Sequence, residues 1–171
     1  MKITKQHKIN IRLERPADNK KIDELCKSAF GPGRLVRSAY RYREKTSHII
    51  EISHVLIIDN LIIGSVRYWK IIINGQSGLL LGPVVVDPEY RGNGYGHKLL
   101  DFSINNCINN GYKLILLVGD FDYYAQLGFK RFKGQELDFI GPVNKNRILY
   151  IDNDNVLRKK AKKVLIKKYI K

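Results

Sequence analysis

The residues with the most specific chemistry lie between Arg91 and Lys98, in the run Arg-Gly-Asn-Gly-Tyr-Gly-His-Lys. Three alternating glycines, Gly92, Gly94 and Gly96, remove side chains where a backbone must come close to a ligand. The run opens a helix, whose first amides lack intrahelical acceptors and whose dipole end is positive. Arg91 and Lys98 add cationic charge on either side. Together these features describe a cradle for a pyrophosphate. Spacing excludes two nucleotide signatures. The dinucleotide fingerprint needs a glycine three residues after Gly94 or Gly96, where His97 and Leu99 stand. The P-loop needs Gly-Lys beginning five residues after Gly92, where His97 stands again. His48 and His54 have no partner at metal-ligand spacing, so no metal is expected. Cys26 and Cys107 are far apart and form no CxxC, which argues against a disulfide framework and suits a reducing cytoplasm.

A strand must deliver the chain to this loop and a helix must carry it away. Leu79 to Val86 reads as a buried apolar strand, interrupted by Gly82-Pro83, where Pro83 removes a ladder donor. Gly96 to Asn109 predicts the helix, with Leu100, Ile104 and Cys107 as its stripe and Gly111 as the C′ residue. Upstream, Ile9, Ile11 and Leu13 alternate as a strand, and Asp18 stands where a helix N-cap belongs. Ile22, Leu25, Cys26, Ala29 and Phe30 form one helical face. Leu35 to Arg43 reads as a short arginine-rich helix. Asp59-Asn60 marks a hairpin between Val55–Ile58 and Leu61–Lys70. Downstream come a strand over Lys113–Val118, a short helix over Tyr123–Leu127, and weaker strands near Phe129–Phe132, Leu137–Ile140 and Arg147–Ile151. This order implies one mixed α/β sheet.

The bulk properties agree with a single folded unit. The chain has 171 residues with 44% hydrophobic composition, enough for one domain with a real core. No apolar run approaches the roughly 20 residues of a membrane span, and the opening MKITKQHKIN lacks the apolar stretch of a secretory signal. The net charge is +15, from 31 basic and 16 acidic residues. Eight of the basic residues fall in the last sixteen positions, which hold no acid. Such an excess favours anionic partners.

Arg91-x-x-Gly94-x-Gly96 after an apolar strand, with Asp87-Pro88 between, resembles motif A of the GNAT acyltransferase superfamily. Tyr124-Ala125-Gln126-Leu127-Gly128-Phe129 resembles that superfamily's Tyr-x-x-x-Gly-Phe. Ala29-Phe30-Gly31-Pro32-Gly33, Leu81-Gly82-Pro83 and Val118-Gly119-Asp120 are similar to its YhbS-type branch. The resemblance covers residues 9–151. It implies a GNAT acyl-CoA N-acyltransferase fold: a central mixed sheet splayed between two parallel strands and flanked by helices. It further implies acetyl-CoA as cosubstrate and an amine as acceptor. By resemblance, the backbone of Val84, Val85 and Val86 holds the pantetheine arm. The pyrophosphate falls to Arg91, Gly92, Asn93, Gly94, Tyr95 and Gly96, with His97 beside them. An amide of the Val84–Val86 strand is the expected oxyanion donor.

Tyr124 matches the family's general acid for the leaving thiolate. Tyr123 lies about 100° around the helix and is the weaker candidate. Many relatives place an acid on the strand before the loop, and Leu79–Val86 holds none. Asp87, Glu89 and Glu51 remain as candidate bases, beside proton loss to water. Asp120 stands where many relatives carry an asparagine, and it is equally placed to cap a helix. The cluster Arg34, Arg37, Arg41 and Arg43 either favours an acidic acceptor or solvates a helix.

Residues 1–155 are thus expected to form the domain and 156–171 a basic C-terminal tail or helix. Leu157, Ala161, Val164 and Leu165 provide a helical face. An alternative function follows from that tail: a GNAT-fold binding module for an acidic partner, RNA or ribosome, with weak or no catalysis. Either a monomer or a homodimer is compatible with the sequence.

Overall fold

A computed structural model describes residues 8–33, 37–157 and 162–170. The chain runs β1 (Ile9–Leu13), α1 (Asn19–Phe30), α2 (Ser38–Arg41), β2 (His54–Ile58), β3 (Leu61–Ile73), β4 (Gln76–Val86) and α3 (Tyr95–Asn109). It continues through β5 (Leu114–Val118), α4 (Phe121–Ala125), β6 (Lys130–Arg131), β7 (Glu136–Asp138), β8 (Ile148–Asp152) and β9 (Lys163–Lys168). The strand order is β1-β2-β3-β4-β5-β8-β6, with β9 on β3 and β7 on β9. β4 and β5 are parallel, as are β7 and β9, and the other pairs are antiparallel. This is the mixed sheet with flanking helices that the sequence implies.

Two hairpins build the centre. Asp59 and Asn60 have φ of +48° and +69°, the mirror-image turn that matches strand twist. Asn74 and Gly75, at +48° and +80°, repeat the device between β3 and β4. Alternation then sorts the apolar side chains between two faces. Leu79, Leu81, Ile115 and Leu117 join Leu99, Leu100, Ile104 and Cys107 of α3 on one face. Leu80, Leu114 and Leu116 join Tyr42, Val164 and Ile166 on the other. Ile22, Leu25 and Cys26 of α1 pack with Val55 and Val85.

Three expectations are corrected. Asp18 precedes α1 but makes no side-chain cap; its carboxylate accepts from Arg12 at 2.7 and 2.9 Å and from the Arg15 amide at 2.7 Å. The arginine-rich helix is only Ser38–Arg41 among the described residues, and the expected start at Leu35, with Arg34, lies outside them. The C-terminal segment is a strand over Lys163–Lys168, not a helix. β3 is 13 residues long, and β2 covers only its first half. Ile71–Ile73 therefore offer an open edge, which β9 fills antiparallel while β7 lines its other side. Alternation seats Val164 and Ile166 in the core, so a period of two overrides the helical face.

Candidate active site

β4 and β5 stay paired only at Leu79 with Ile115 and Leu80 with Leu116. Beyond those pairs the strands part. The other edge of β4 remains bonded to β3, through Val84–Val66, Val85–Ser65 and Val86–Gly64. The β5-facing edge of residues 81–86 thus has no strand partner. The parting has a local cause. Between Tyr68–Leu81 and Val66–Val84, two steps on β3 match three on β4, which is a bulge. Gly82 and Pro83 occupy it. Gly82 adopts φ +118°, closed to most other residues, and Pro83 has no amide to donate.

A cavity of about 710 Å³ opens at the split. Leu81–Val84 form one wall and Leu117–Asp120 the other, with Tyr124 between them. Cys26 and Phe30 of α1, Ser38–Tyr40, and Pro142–Asn144 close the outer side. Val84 lines this space, whereas Val85 is buried against α1. The Ser38 hydroxyl donates to the Pro142 carbonyl and ties the two outer segments together.

The glycine loop follows directly from β4. Asp87 accepts from the Glu89 amide at 3.1 Å and starts a short 3₁₀ turn over Pro88–Tyr90. Gly92 and Gly94 have φ of +80° and +74°, and Gly94 is the N-cap of α3 with no side-chain cap. The Lys98 amide donates to the Gly94 carbonyl at 3.0 Å, closing the first turn of α3. The amides of Tyr95, Gly96 and His97 therefore have no acceptor within the helix. Asn93 braces the loop by donating to the carbonyls of Tyr90 and Arg91, each at 3.2 Å. Arg91 Nε donates to the Val86 carbonyl at 3.2 Å, holding the loop to the strand end. A Cβ on Gly96 would lie 3.1 Å from the Tyr123 hydroxyl, so that phenol reaches the start of α3.

Tyr124 lies on α4, capped by Asp120, whose carboxylate accepts from the Asp122 amide at 3.0 Å. Gly119 makes room for it: a Cβ there would overlap the Tyr124 ring. Tyr123 and Phe129 pack edge-on, with centroids 5.0 and 5.7 Å away. Burial pushes the Tyr124 phenol up to about 12, with Tyr123 adding to the rise. The phenol is thus held protonated.

The carboxylates expected as bases are placed elsewhere. Asp87 is spent on its 3₁₀ turn and Glu51 is exposed in Ile50–Ile52, and neither lines the cavity. Glu89 is likewise exposed. His48 bonds Glu14 at 3.1 Å and His54 bonds Ser103 at 2.8 Å. Among the described residues no group of three His, Cys, Asp or Glu converges as for a metal.

The cavity also takes in two members of the arginine cluster, Arg37 and Arg43, and three residues the sequence did not single out, Arg67, Trp69 and Arg147. Arg67 is buried and paired with Glu14 through Nε at 3.0 Å and Nη2 at 2.6 Å. Arg67 sits between Val66 and Tyr68 in a mostly apolar strand, and an arginine at a buried strand position was the available signal. Arg43 belonged to the arginine cluster, but its inward direction is set by tertiary packing.

Residues 50–131 match the family whose description reads acetyltransferase (GNAT) domain. The chain is 27% identical over 123 residues to the uncharacterized N-acetyltransferase YhbS of Escherichia coli K12, covering 70% of this chain and 72% of that protein. In structure it is similar to an Escherichia coli GNAT family N-acetyltransferase (YhbS) in complex with CoA, with TM-score 0.77, 23% identity, and coverage of 93% and 89%. A GNAT family acetyltransferase from Brucella melitensis in complex with acetyl-CoA gives TM-score 0.62 at 25% identity, over 83% of this chain and 95% of that one. The split sheet, the glycine loop and these likenesses agree: residues 50–131 match a GNAT acetyltransferase domain, and the fold around them is the one seen in GNAT proteins.

Proposed function

We propose that the protein is an N-acetyltransferase that moves the acetyl group of acetyl-CoA onto a primary amine by direct attack. The observation that carries this reading is the parting of β4 and β5 after Leu80 and Leu116, with a protonated Tyr124 at the split. The two relatives bound to CoA and acetyl-CoA support the choice of cosubstrate. The unpartnered β4 edge fits the amide-rich pantetheine arm, and the free amides of Tyr95–His97 with Gly92 and Gly94 fit the pyrophosphate.

The amine nitrogen attacks the thioester carbonyl. A C–N bond forms and the C–S bond breaks. An amide of the bulged strand, at Val84–Val86, offers a hydrogen bond to the oxyanion. The Tyr124 phenol gives its proton to the departing thiolate and regains one from solvent. No carboxylate is assigned as base: the ammonium loses one proton to water before attack, and the attacking nitrogen loses a second to water as the amide forms.

Calorimetric titration with acetyl-CoA tests the binding half, with dephosphorylated pantetheine as control. Phosphate-dependent binding is expected, and absence of binding overturns the reading. Thiol release tests the chemistry: Tyr124→Phe lowers kcat by roughly a hundredfold with little change in CoA affinity. Equal turnover by the two proteins removes Tyr124 from its role.

A further inference from the structure

Arg43 follows α2 and turns inward against the β4 bulge. Its guanidinium carbon stands 5.1 Å over the Trp69 ring. Its Nη2 lies 3.0 Å from the point where a Cβ on Gly82 would sit, so the cation occupies room that only glycine leaves. Nε is buried and makes no hydrogen bond. Among the described residues no carboxylate pairs with this guanidinium. Burial pulls its pKa down to about 10.

The neighbouring charges do not neutralise it. Arg67 takes both oxygens of Glu14. Asp23, a carboxylate of the cavity wall, faces Arg67 at 3.8 Å. Asp120, the other, caps α4. Arg37 adds a like charge near Arg43. An unpaired cation in such a place is costly, and an anion arriving with a ligand removes that cost.

We infer that the acceptor is an amine bearing a carboxylate, and that Arg43 holds this carboxylate so that the amine faces the β4 bulge. The inference rests on the acetyltransferase reading for its substrate. A guanidinium offers a planar carboxylate paired, charge-assisted hydrogen bonds. The same cationic wall repels polyamines and other polycationic acceptors. Arg43 is thus a specificity-determining residue, and small amino carboxylates are the substrate class.

Trp69 is the chain's only tryptophan and lies beneath the Arg43 guanidinium, so its emission reads occupancy without any turnover. CoA-saturated protein is titrated with amino acids, the matching amino-acid amides, and spermidine. The acids produce a saturable change, and the amides bind at least about tenfold more weakly, the scale of one charge-assisted hydrogen bond. Arg43→Gln abolishes the discrimination. Arg43→Lys keeps the charge but not the fork, and restores only part of it. CoA titration reports whether each variant is folded, and the acid–amide comparison in the unaltered protein stands without them. Equal response to acid and amide, or preference for spermidine, overturns the inference. Discrimination without thiol release leaves the carboxylate site standing and sinks the acetyltransferase reading. Thiol release without discrimination does the reverse.

Discussion

Tyr124 and Glu14 show how burial acts differently on two single residues. At Tyr124 desolvation outweighs the opposing charge of Arg147, and the phenol stays protonated far above neutral pH. If this phenol is the general acid, kcat shows no alkaline decline between about pH 8 and 10, where an ordinary tyrosine begins to ionise. A pH profile of thiol release checks this, and a limb near the ordinary tyrosine value removes the assignment. Glu14 is 5% exposed, and desolvation works to raise its pKa. Hydrogen bonds from His48 and Arg67 win, and the net shift is downward. Its contribution to stability is therefore present above the unfolded carboxylate value and fades as pH falls through its depressed native value. Glu14→Gln leaves the buried Arg67 with only the exposed Asp23 carboxylate, 3.8 Å away, as counter-charge, at a cost of about 3 kcal/mol near neutral pH. Denaturant melts check the sign, because the gap between the two proteins narrows as pH falls below about 4.

At the scale of elements, two short stretches of backbone shape the surfaces proposed to hold acetyl-CoA. The Gly82-Pro83 bulge parts β4 from β5 on one edge while β3 holds the other. Gly94 turns the chain from loop into α3 with φ +74°, and no atom lies within 4 Å of its missing Cβ. Gly94→Ala therefore acts through backbone strain alone, costing about 1–2 kcal/mol, and it weakens acetyl-CoA binding by moving the first α3 amides. Gly119 is a contrasting case. A Cβ there strikes the Tyr124 ring and lies 2.9 Å from Leu117 Cδ1, with no unusual φ involved. Gly119→Ala displaces Tyr124, lowering kcat more than it alters CoA affinity, and costs about 1–3 kcal/mol of stability. Thiol release together with calorimetry separates these two substitutions, and matching profiles would refute the distinction.

On the scale of the whole molecule, the basic C-terminal segment is part of the core. Val164 and Ile166 are each 2% exposed, and the Tyr42 hydroxyl donates to the Ile166 carbonyl at 3.0 Å. Burying two such side chains is worth roughly 1.5–3 kcal/mol each, a large share of the 5–15 kcal/mol typical of a folded domain. Deleting residues 163–171 is expected to unfold the protein, as thermal melts or loss of soluble expression would reveal; an unchanged melt would show β9 to be dispensable. Replacing the exposed Lys162 and Lys167 with serine leaves stability within about 0.5 kcal/mol, so only such surface changes test an acidic partner separately from folding. The sequence by itself determined what is local: the Asp59-Asn60 hairpin, the apolar stripe of α3, the glycines of the loop, and the Tyr124–Phe129 spacing. Each is written in neighbouring residues, through φ preferences and periodicity. Tertiary structure alone decided what depends on distant partners. β9 became a strand because Ile71–Ile73 left an edge open. Asp87 and Glu51 fell outside the cavity because Asp87 caps the turn that ends β4 and Glu51 lies exposed on the 3₁₀ turn over Ile50–Ile52. Arg43 turned inward because Trp69 and Gly82, 26 and 39 positions further along the chain, make the surface on which its guanidinium rests.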